Sequence, residues 1–178
     1  MDVPLKHVIG TVTLIALVIA VGLAYTIFTS YAEANVLKSQ LTQIAENISL
    51  NLVEIVGLTN FGNVLTNETM MKTLKLPTDL GAKAYLIKLV ANNETGQNQG
   101  YYVQTELVVR KDITATSPIP LNSTQTQLIF ITQGQGTLQV RGGDAVTIQY
   151  SSLIYGGRQN IVVWGWKENS TTTWAGIG

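Results

Sequence analysis

The sequence predicts an α+β fold in which a long N-terminal hydrophobic α-helix precedes an all-β, antiparallel, immunoglobulin-like sandwich. No charged residue occurs in Val8–Ala32, and apolar residues at helical spacing then continue as far as Ile55. From Ala84 onward the apolar period changes from helical to alternating, with Gly- and Asn-rich turns between short runs. We therefore predict a helix at residues 1–57, a linker with a short helix or edge strand at 58–83, and a β-domain at 84–178.

The charge-free segment is long enough to cross a membrane. About 20 apolar residues in a helix span the hydrocarbon of a bilayer, and Val8–Ala32 exceeds that length. Lys6 precedes the segment and Glu33 is the first charge after it. This distribution predicts a cytoplasmic N-terminus and a β-domain outside the cell.

Beyond the charge-free segment the helix becomes amphipathic. Its apolar residues recur at alternating steps of three and four, which places them in one stripe opposite Gln, Ser, Glu and Asn. Two interpretations stay open: the stripe packs against the chain's own β-domain, or it packs against helices of neighbouring copies. In the second case the assembly helix uses Val8, Ile9, Leu14, Leu17, Val21, Leu37, Leu41, Ile44, Ile48 and Ile55.

Two simpler interpretations of the N-terminus compete with an assembly helix. A single-span anchor explains the apolar segment and leaves the amphipathic extension without a role. A cleaved secretory signal would end at the small-residue sequence Ala32-Glu33-Ala34, although such signals have an apolar core of only about 7–15 residues.

The β-domain is predicted strand by strand from alternation. Tyr85, Ile87 and Leu89 share one face of its first strand. Gly- and Asn-containing turns separate the strands that follow. The further strands are predicted at residues 101–109, 128–132, 137–141, 145–150 and 160–167.

Three tryptophans near the C-terminus have two interpretations. The last predicted strand is apolar or aromatic on both faces, which favours a central position in the sheet. A subunit contact through Trp164 or Trp166 is the alternative. Trp174 lies in the C-terminal tail, where it is harder to bury, and an exposed tryptophan there would be a candidate contact to a neighbouring subunit.

Five Asn-X-Ser/Thr triplets are candidate glycosylation sites. Four of them fall in predicted turns or linkers, where a glycan would face solvent. The fifth, at Asn47, lies on the predicted helix, and the general abundance of Asn and Thr in polar loops is the alternative explanation. The candidate acceptors are Asn47, Asn67, Asn93, Asn122 and Asn169.

Composition argues against several functional classes. The chain has no Cys, 11 basic and 11 acidic residues, and 12% charged residues, against roughly 25% in a typical soluble domain. Disulfides and thiolate chemistry are therefore excluded, and the scattered basic residues predict no nucleic-acid partner. No nucleophile, phosphate-loop or metal motif occurs, so we expect a non-enzyme without cofactor or metal. A glycosidase-like pair of Glu106 with Asp112 or Asp144 is an enzymatic alternative.

The N-terminal residues resemble those of a known family. His7-Val8-Ile9-Gly10, followed by the Leu/Ile/Ala/Val-rich run to Ala20, is similar to the N-terminal segment of archaeal type IV pilins. The resemblance implies a filament subunit that polymerises with itself through the N-terminal helix. It further implies insertion in the membrane before assembly, pilus assembly machinery as a partner, and a final location at the cell surface, where the surface layer is another possible partner.

One local feature departs from that family. Its processing peptidase cuts after a basic residue followed by Gly or Ala, whereas here Lys6 precedes His7. The uncleaved, membrane-anchored archaellum stator proteins, which also carry an extracytoplasmic β-sandwich, are the alternative relatives. A surface-layer-binding anchor is possible on the same ground.

Overall fold

The computed structural model describes residues 3–61, 65–92, 100–120, 127–142, 144–157 and 160–178. Its one described helix, α1, runs over Val3–Phe61. The chain divides into two compact units, Met1–Leu37 and Lys38–Gly178, so the first unit holds the apolar half of α1 and the second holds the rest of α1 with all described strands.

The second unit contains ten described strands. They are β1 (Thr69–Leu74), β2 (Tyr85–Asn92), β3 (Gly100–Leu107), β4 (Thr114–Ile119), β5 (Gln127–Phe130), β6 (Gln135–Gly142), β7 (Asp144–Ser151), β8 (Leu153–Tyr155), β9 (Ile161–Lys167) and β10 (Thr172–Ile177). The predicted α+β class, a long helix followed by antiparallel-rich sheets, is confirmed.

The strands form three sheets. Sheet I has the order β1-β9-β10-β5, sheet II has the order β4-β3-β2-β8, and β6 and β7 form a separate hairpin. Neighbouring strands are antiparallel with one exception, because β10 and β5 run parallel, with Trp174 opposite Ile129. The arrangement therefore differs in this one pair from the all-antiparallel sandwich that alternation predicts.

The C-terminal part of α1 forms the centre of the second unit, because it is tied to both large sheets. Thr105 on β3 donates its hydroxyl to the Leu41 carbonyl at 3.0 Å. Ser49 donates to the Pro118 carbonyl on β4 at 2.6 Å. On sheet I, Thr173 donates to Asn60 Oδ1 at 2.5 Å. Burial of α1 between these contacts makes it the core of the β-domain rather than a spacer before it.

Helix α1 extends past its predicted end at residue 57. Gly57 is partly exposed, with open space where a Cβ would lie, and the helix continues for four more residues. Ile55 and Thr59 pack against β9, where a Cβ on Gly165 would lie 2.8 Å from Thr59 Oγ1. Tertiary packing therefore overrides the cost of glycine in a helix, which is about 1 kcal/mol.

The predicted linker contains an edge strand. Thr69–Leu74 forms β1, which pairs with β9 alone and lies at the margin of sheet I. Neither β4 nor β10 was predicted from the sequence. Strand β4 contains Pro118, and proline is unfavourable in a central strand because it has no backbone N–H. Here the proline is tolerated because β4 is an edge strand.

Candidate assembly surface

The apolar half of α1 presents its large hydrophobic side chains to the surroundings. Those from Val8 to Tyr31 are 53–70% exposed. They include Val8, Ile9, Leu14, Leu17 and Val21 from the predicted assembly helix. A continuous apolar surface of this extent indicates contact with lipid or with other protein chains. We call the apolar side chains of residues 8–31 the exposed apolar segment.

Four threonine hydroxyls in residues 8–31 are satisfied by the helix itself. Thr11 and Thr13 each donate to the carbonyl four residues earlier at 2.8 Å. Thr26 donates to the Gly22 carbonyl at 2.8 Å and Thr29 to the Tyr25 carbonyl at 3.0 Å. The segment can therefore enter a water-free environment without leaving these hydroxyls unpaired.

By length and composition, this helix can cross a membrane. None of its most apolar stretch is buried within the described part of the chain. Absence of burial separates it from the core helix of a soluble domain, which would pass the same test while packed against strands.

The amphipathic stripe belongs to the chain's own core, which corrects half of the predicted assembly helix. Leu41 and Ile48 are fully buried, and Leu37, Ile44 and Ile55 are at most 6% exposed. These five side chains have no surface left to offer a neighbouring helix. Of the two interpretations left open by periodicity, packing within the chain is therefore the correct one.

The tryptophans also lie within the fold. Trp164 is fully buried in a cluster with Ile148 of β7, and Trp166 and Trp174 pack against that cluster. Strand β9 lies between β1 and β10, so its predicted central position is confirmed. Trp164 is thus unavailable for a subunit contact.

Trp174 belongs to a strand rather than to a tail. This residue lies on β10, between β9 and β5, and is only partly exposed. Its indole N–H donates to Glu168 Oε2 at 2.8 Å, and it lies opposite Trp166 in the β9–β10 register. Sequence reasoning missed the strand because small residues surround its single tryptophan.

Aromatic side chains near the end of the exposed apolar segment were not among the predicted assembly residues. Tyr25, Phe28 and Tyr31 are 68–70% exposed and follow one another at three-residue steps. They precede Glu33, the first charge after the segment. Aromatic enrichment at membrane–water boundaries is the sequence signal that could have identified them.

The glycosylation triplets fall in three different settings. Asn47 is exposed on α1, while Asn67 and Asn169 are exposed in turns. Asn67 has a positive φ of 69° in the turn before β1, and Asn169 lies in the turn between β9 and β10. Asn93 and Asn122 lie outside the described residues.

Two of the three carboxylates that suggested an enzymatic alternative pair with separate cations. Glu106 is buried and accepts a hydrogen bond from Lys88 Nζ at 2.5 Å. Arg110 pairs with Asp112 at 2.9 Å, and this hydrogen bond lowers the pKa of the Asp112 carboxyl. The Asp144 side chain lies outside the described residues. Among those that are described, no group of three or more His, Cys, Asp or Glu residues could hold a metal.

Fold and surface together define a class: an α+β protein whose N-terminal helix can span a membrane and whose β-domain encloses the rest of that helix. Comparison with known protein families, curated proteins and solved structures gave no match.

Proposed function

We propose that this chain is a structural subunit of an archaeal type IV pilus-like extracellular filament that mediates surface or cell adhesion. The observation that carries the proposal is the division of α1 into an exposed apolar segment and a buried C-terminal part. The first part needs an apolar partner from outside the chain, whereas the second already has one. Because residues 7–20 resemble archaeal type IV pilins, we propose that this partner is the same helix of other subunits in a filament.

Assembly exchanges one apolar environment for another. Before assembly the exposed apolar segment lies in the membrane, with the N-terminus cytoplasmic, and in the filament it packs against the same segment of other subunits. Lipid tails and leucine side chains are similarly apolar, so the hydrophobic effect does not drive the helices together. Their association depends instead on close helix packing, which small residues permit. The membrane and the pilus assembly machinery are therefore the partners before assembly, and the chain itself is the partner afterwards.

The ties between α1 and the two sheets fit a subunit that bears load. A force on the N-terminal helix reaches sheet II through Leu41 and Ser49 and reaches sheet I through Asn60. Because the C-terminal part of α1 is the core of the β-domain, we expect that pulling it out of the domain requires the domain to unfold. The β-domain would cover the filament outside the cell, where surfaces, other cells or the surface layer are its contacts.

Co-expression with pilus assembly machinery tests the proposal. The full chain should appear in shed filaments, and Ala20→Phe should stay in the membrane, because it preserves hydropathy while preventing close helix packing. Val109→Phe is the matched control on the β-domain, at a residue that is 79% exposed, and should still assemble. Wild-type protein that stays monomeric in the membrane with the machinery present would contradict the proposal.

A membrane-anchored protein of the archaellum stator or surface-layer-binding kind is the second candidate. The observation that favours it is His7 after Lys6, where the pilin peptidase pattern requires Gly or Ala. In that case the exposed apolar segment remains in lipid, and the β-domain binds a partner at the cell surface.

A further inference from the structure

Three Asn-X-Ser/Thr triplets have described structures, and they differ in how the Asn and hydroxyl side chains are presented. Transfer of an N-linked glycan needs access to the Asn amide nitrogen and to the hydroxyl two residues later, since the triplet is recognised as a unit. The three hydroxyls belong to Ser49, Thr69 and Thr171.

The triplet at Asn47 is divided between two faces of α1. Residues two apart in a helix point about 200° away from each other around its axis. Asn47 is accordingly exposed, while Ser49 is 2% exposed and donates its hydroxyl to the Pro118 carbonyl on β4. Asn51 in addition donates to Asn47 Oδ1 at 2.7 Å. A transferase cannot reach both groups without unfolding the helix.

The triplet at Asn67 presents its asparagine and hides its hydroxyl. Asn67 is exposed in the turn, but Thr69 begins β1 and lies opposite Trp166 of β9. The Thr69 Oγ1 atom is buried there. The pairing of β1 with β9 therefore makes the Thr69 hydroxyl inaccessible to a transferase.

The triplet at Asn169 presents both groups together. Asn169 and Thr171 are both exposed in the turn that joins β9 to β10. Asn169 Oδ1 accepts hydrogen bonds from the Thr171 backbone N–H at 2.8 Å and from the Thr171 hydroxyl at 2.9 Å. This Asx-type turn brings the side chains of the triplet to one side of the chain, at a hairpin tip.

We infer that Asn169 is an N-glycan acceptor of the folded chain and that Asn47 and Asn67 are not acceptors. The donor is a sugar linked through phosphate to a membrane polyisoprenoid. A bond forms between Asn169 Nδ2 and the anomeric carbon, the bond from that carbon to the phosphate oxygen breaks, and the amide loses a proton to the transferase. The glycan would then project from the β9–β10 turn. This assignment concerns a face outside the membrane and does not depend on filament formation.

The direct test is glycosylation of the purified, folded full chain by a membrane oligosaccharyltransferase with a polyisoprenyl-linked donor, followed by peptide mass spectrometry. Glycan should be found on the Asn169 peptide and not on the Asn47 or Asn67 peptides. Synthetic peptides carrying each of the three triplets serve as controls and should all be modified, because they lack the fold. Modification of Asn47 or Asn67 in the folded chain, or an unmodified Asn169, would overturn the inference.

Matched variants separate the triplet from the turn. Thr171→Ala should abolish modification at Asn169, because it removes the hydroxyl of the triplet. Thr172→Ala, one residue outside the triplet, should keep it. Equal modification of the two variants would show that the hydroxyl geometry does not select Asn169. Filament formation is scored separately, so a monomeric but glycosylated chain would contradict only the filament proposal.

Discussion

Ala82 adopts a backbone conformation that is unfavourable for an L-residue. Its φ is 60°, in the turn that joins the bridged residues Leu80 and Lys83, and its amide donates to Asp79 Oδ1. Glycine adopts this conformation without a steric cost. We therefore expect Ala82→Gly to raise the free energy of unfolding by about 0.5 kcal/mol, since the gain exceeds the added entropy of the unfolded chain.

Denaturant titration of Ala82→Gly checks this, with Ala84→Gly as the control. Ala84 is exposed and is not among the residues with positive φ, so glycine there only adds unfolded-state entropy and should lower stability. A fall in stability for Ala82→Gly equal to that of Ala84→Gly would show that the turn carries no strain.

Tyr85 makes stability depend on alkaline pH. Burial, together with the charge of Asp79, raises the pKa of the Tyr85 hydroxyl from 10.0 to about 12. The hydroxyl donates to the Pro77 carbonyl at 2.5 Å, so its protonated form is the one that the fold stabilises. Because the folded pKa is the higher one, this stabilisation is complete below pH 10 and is lost as pH rises toward 12.

Urea unfolding at pH 9 and pH 11.5 measures this effect. The wild-type free energy of unfolding should fall over that interval by on the order of 1–2 kcal/mol from this group. Tyr85→Phe should be less stable at pH 9, because the Pro77 carbonyl loses its donor, and should show a smaller fall. An identical pH dependence in the two proteins would exclude Tyr85 as its source.

At the scale of the elements, the C-terminal part of α1 has one face buried in the core and the opposite face exposed. Ile48 is fully buried, while Leu50 is 65% exposed on the opposite face. We expect Ile48→Ala to lower the free energy of unfolding by about 2–5 kcal/mol and Leu50→Ala to change it by less than about 0.5 kcal/mol. Calorimetry of the two variants checks the difference. Similar effects would mean that the stripe does not form the core.

Local pattern predicts some elements of this fold and misses others for identifiable reasons. The alternation of Tyr85, Ile87 and Leu89 located β2 and its buried face, and the doubly apolar β9 located the centre of sheet I. Strand β8 has only three residues, and β10 places a single tryptophan among small residues. Neither carries enough local periodicity to be recognised.

Only part of the assembly surface was predictable from the sequence. An exposed apolar segment follows from composition alone, because no charge interrupts it. Assigning Leu41 and Ile48 to subunit contacts failed because a helix stripe has the same spacing whether its partner is a neighbouring chain or its own sheets. The burial of these side chains and the hydrogen bonds that join α1 to Thr105, Pro118 and Thr173 distinguish the two cases.

At the scale of the whole molecule, the described residues form a β-domain and an apolar helical segment whose large side chains are exposed. The domain encloses the C-terminal part of α1, and the exposed apolar segment in the N-terminal unit remains available for lipid or for other copies. Filament assembly and permanent anchoring use this surface differently, because only assembly removes it from the membrane.

Mass spectrometry of the mature N-terminus, in shed surface filaments and in membranes, tests the central proposal most directly. We predict that the protein is found in the filament fraction, with its N-terminus inside the first ten residues and with Val12–Ala32 retained. An intact N-terminus at Met1 or Asp2, found only in membranes, would contradict the filament proposal and favour the anchored, stator-like protein.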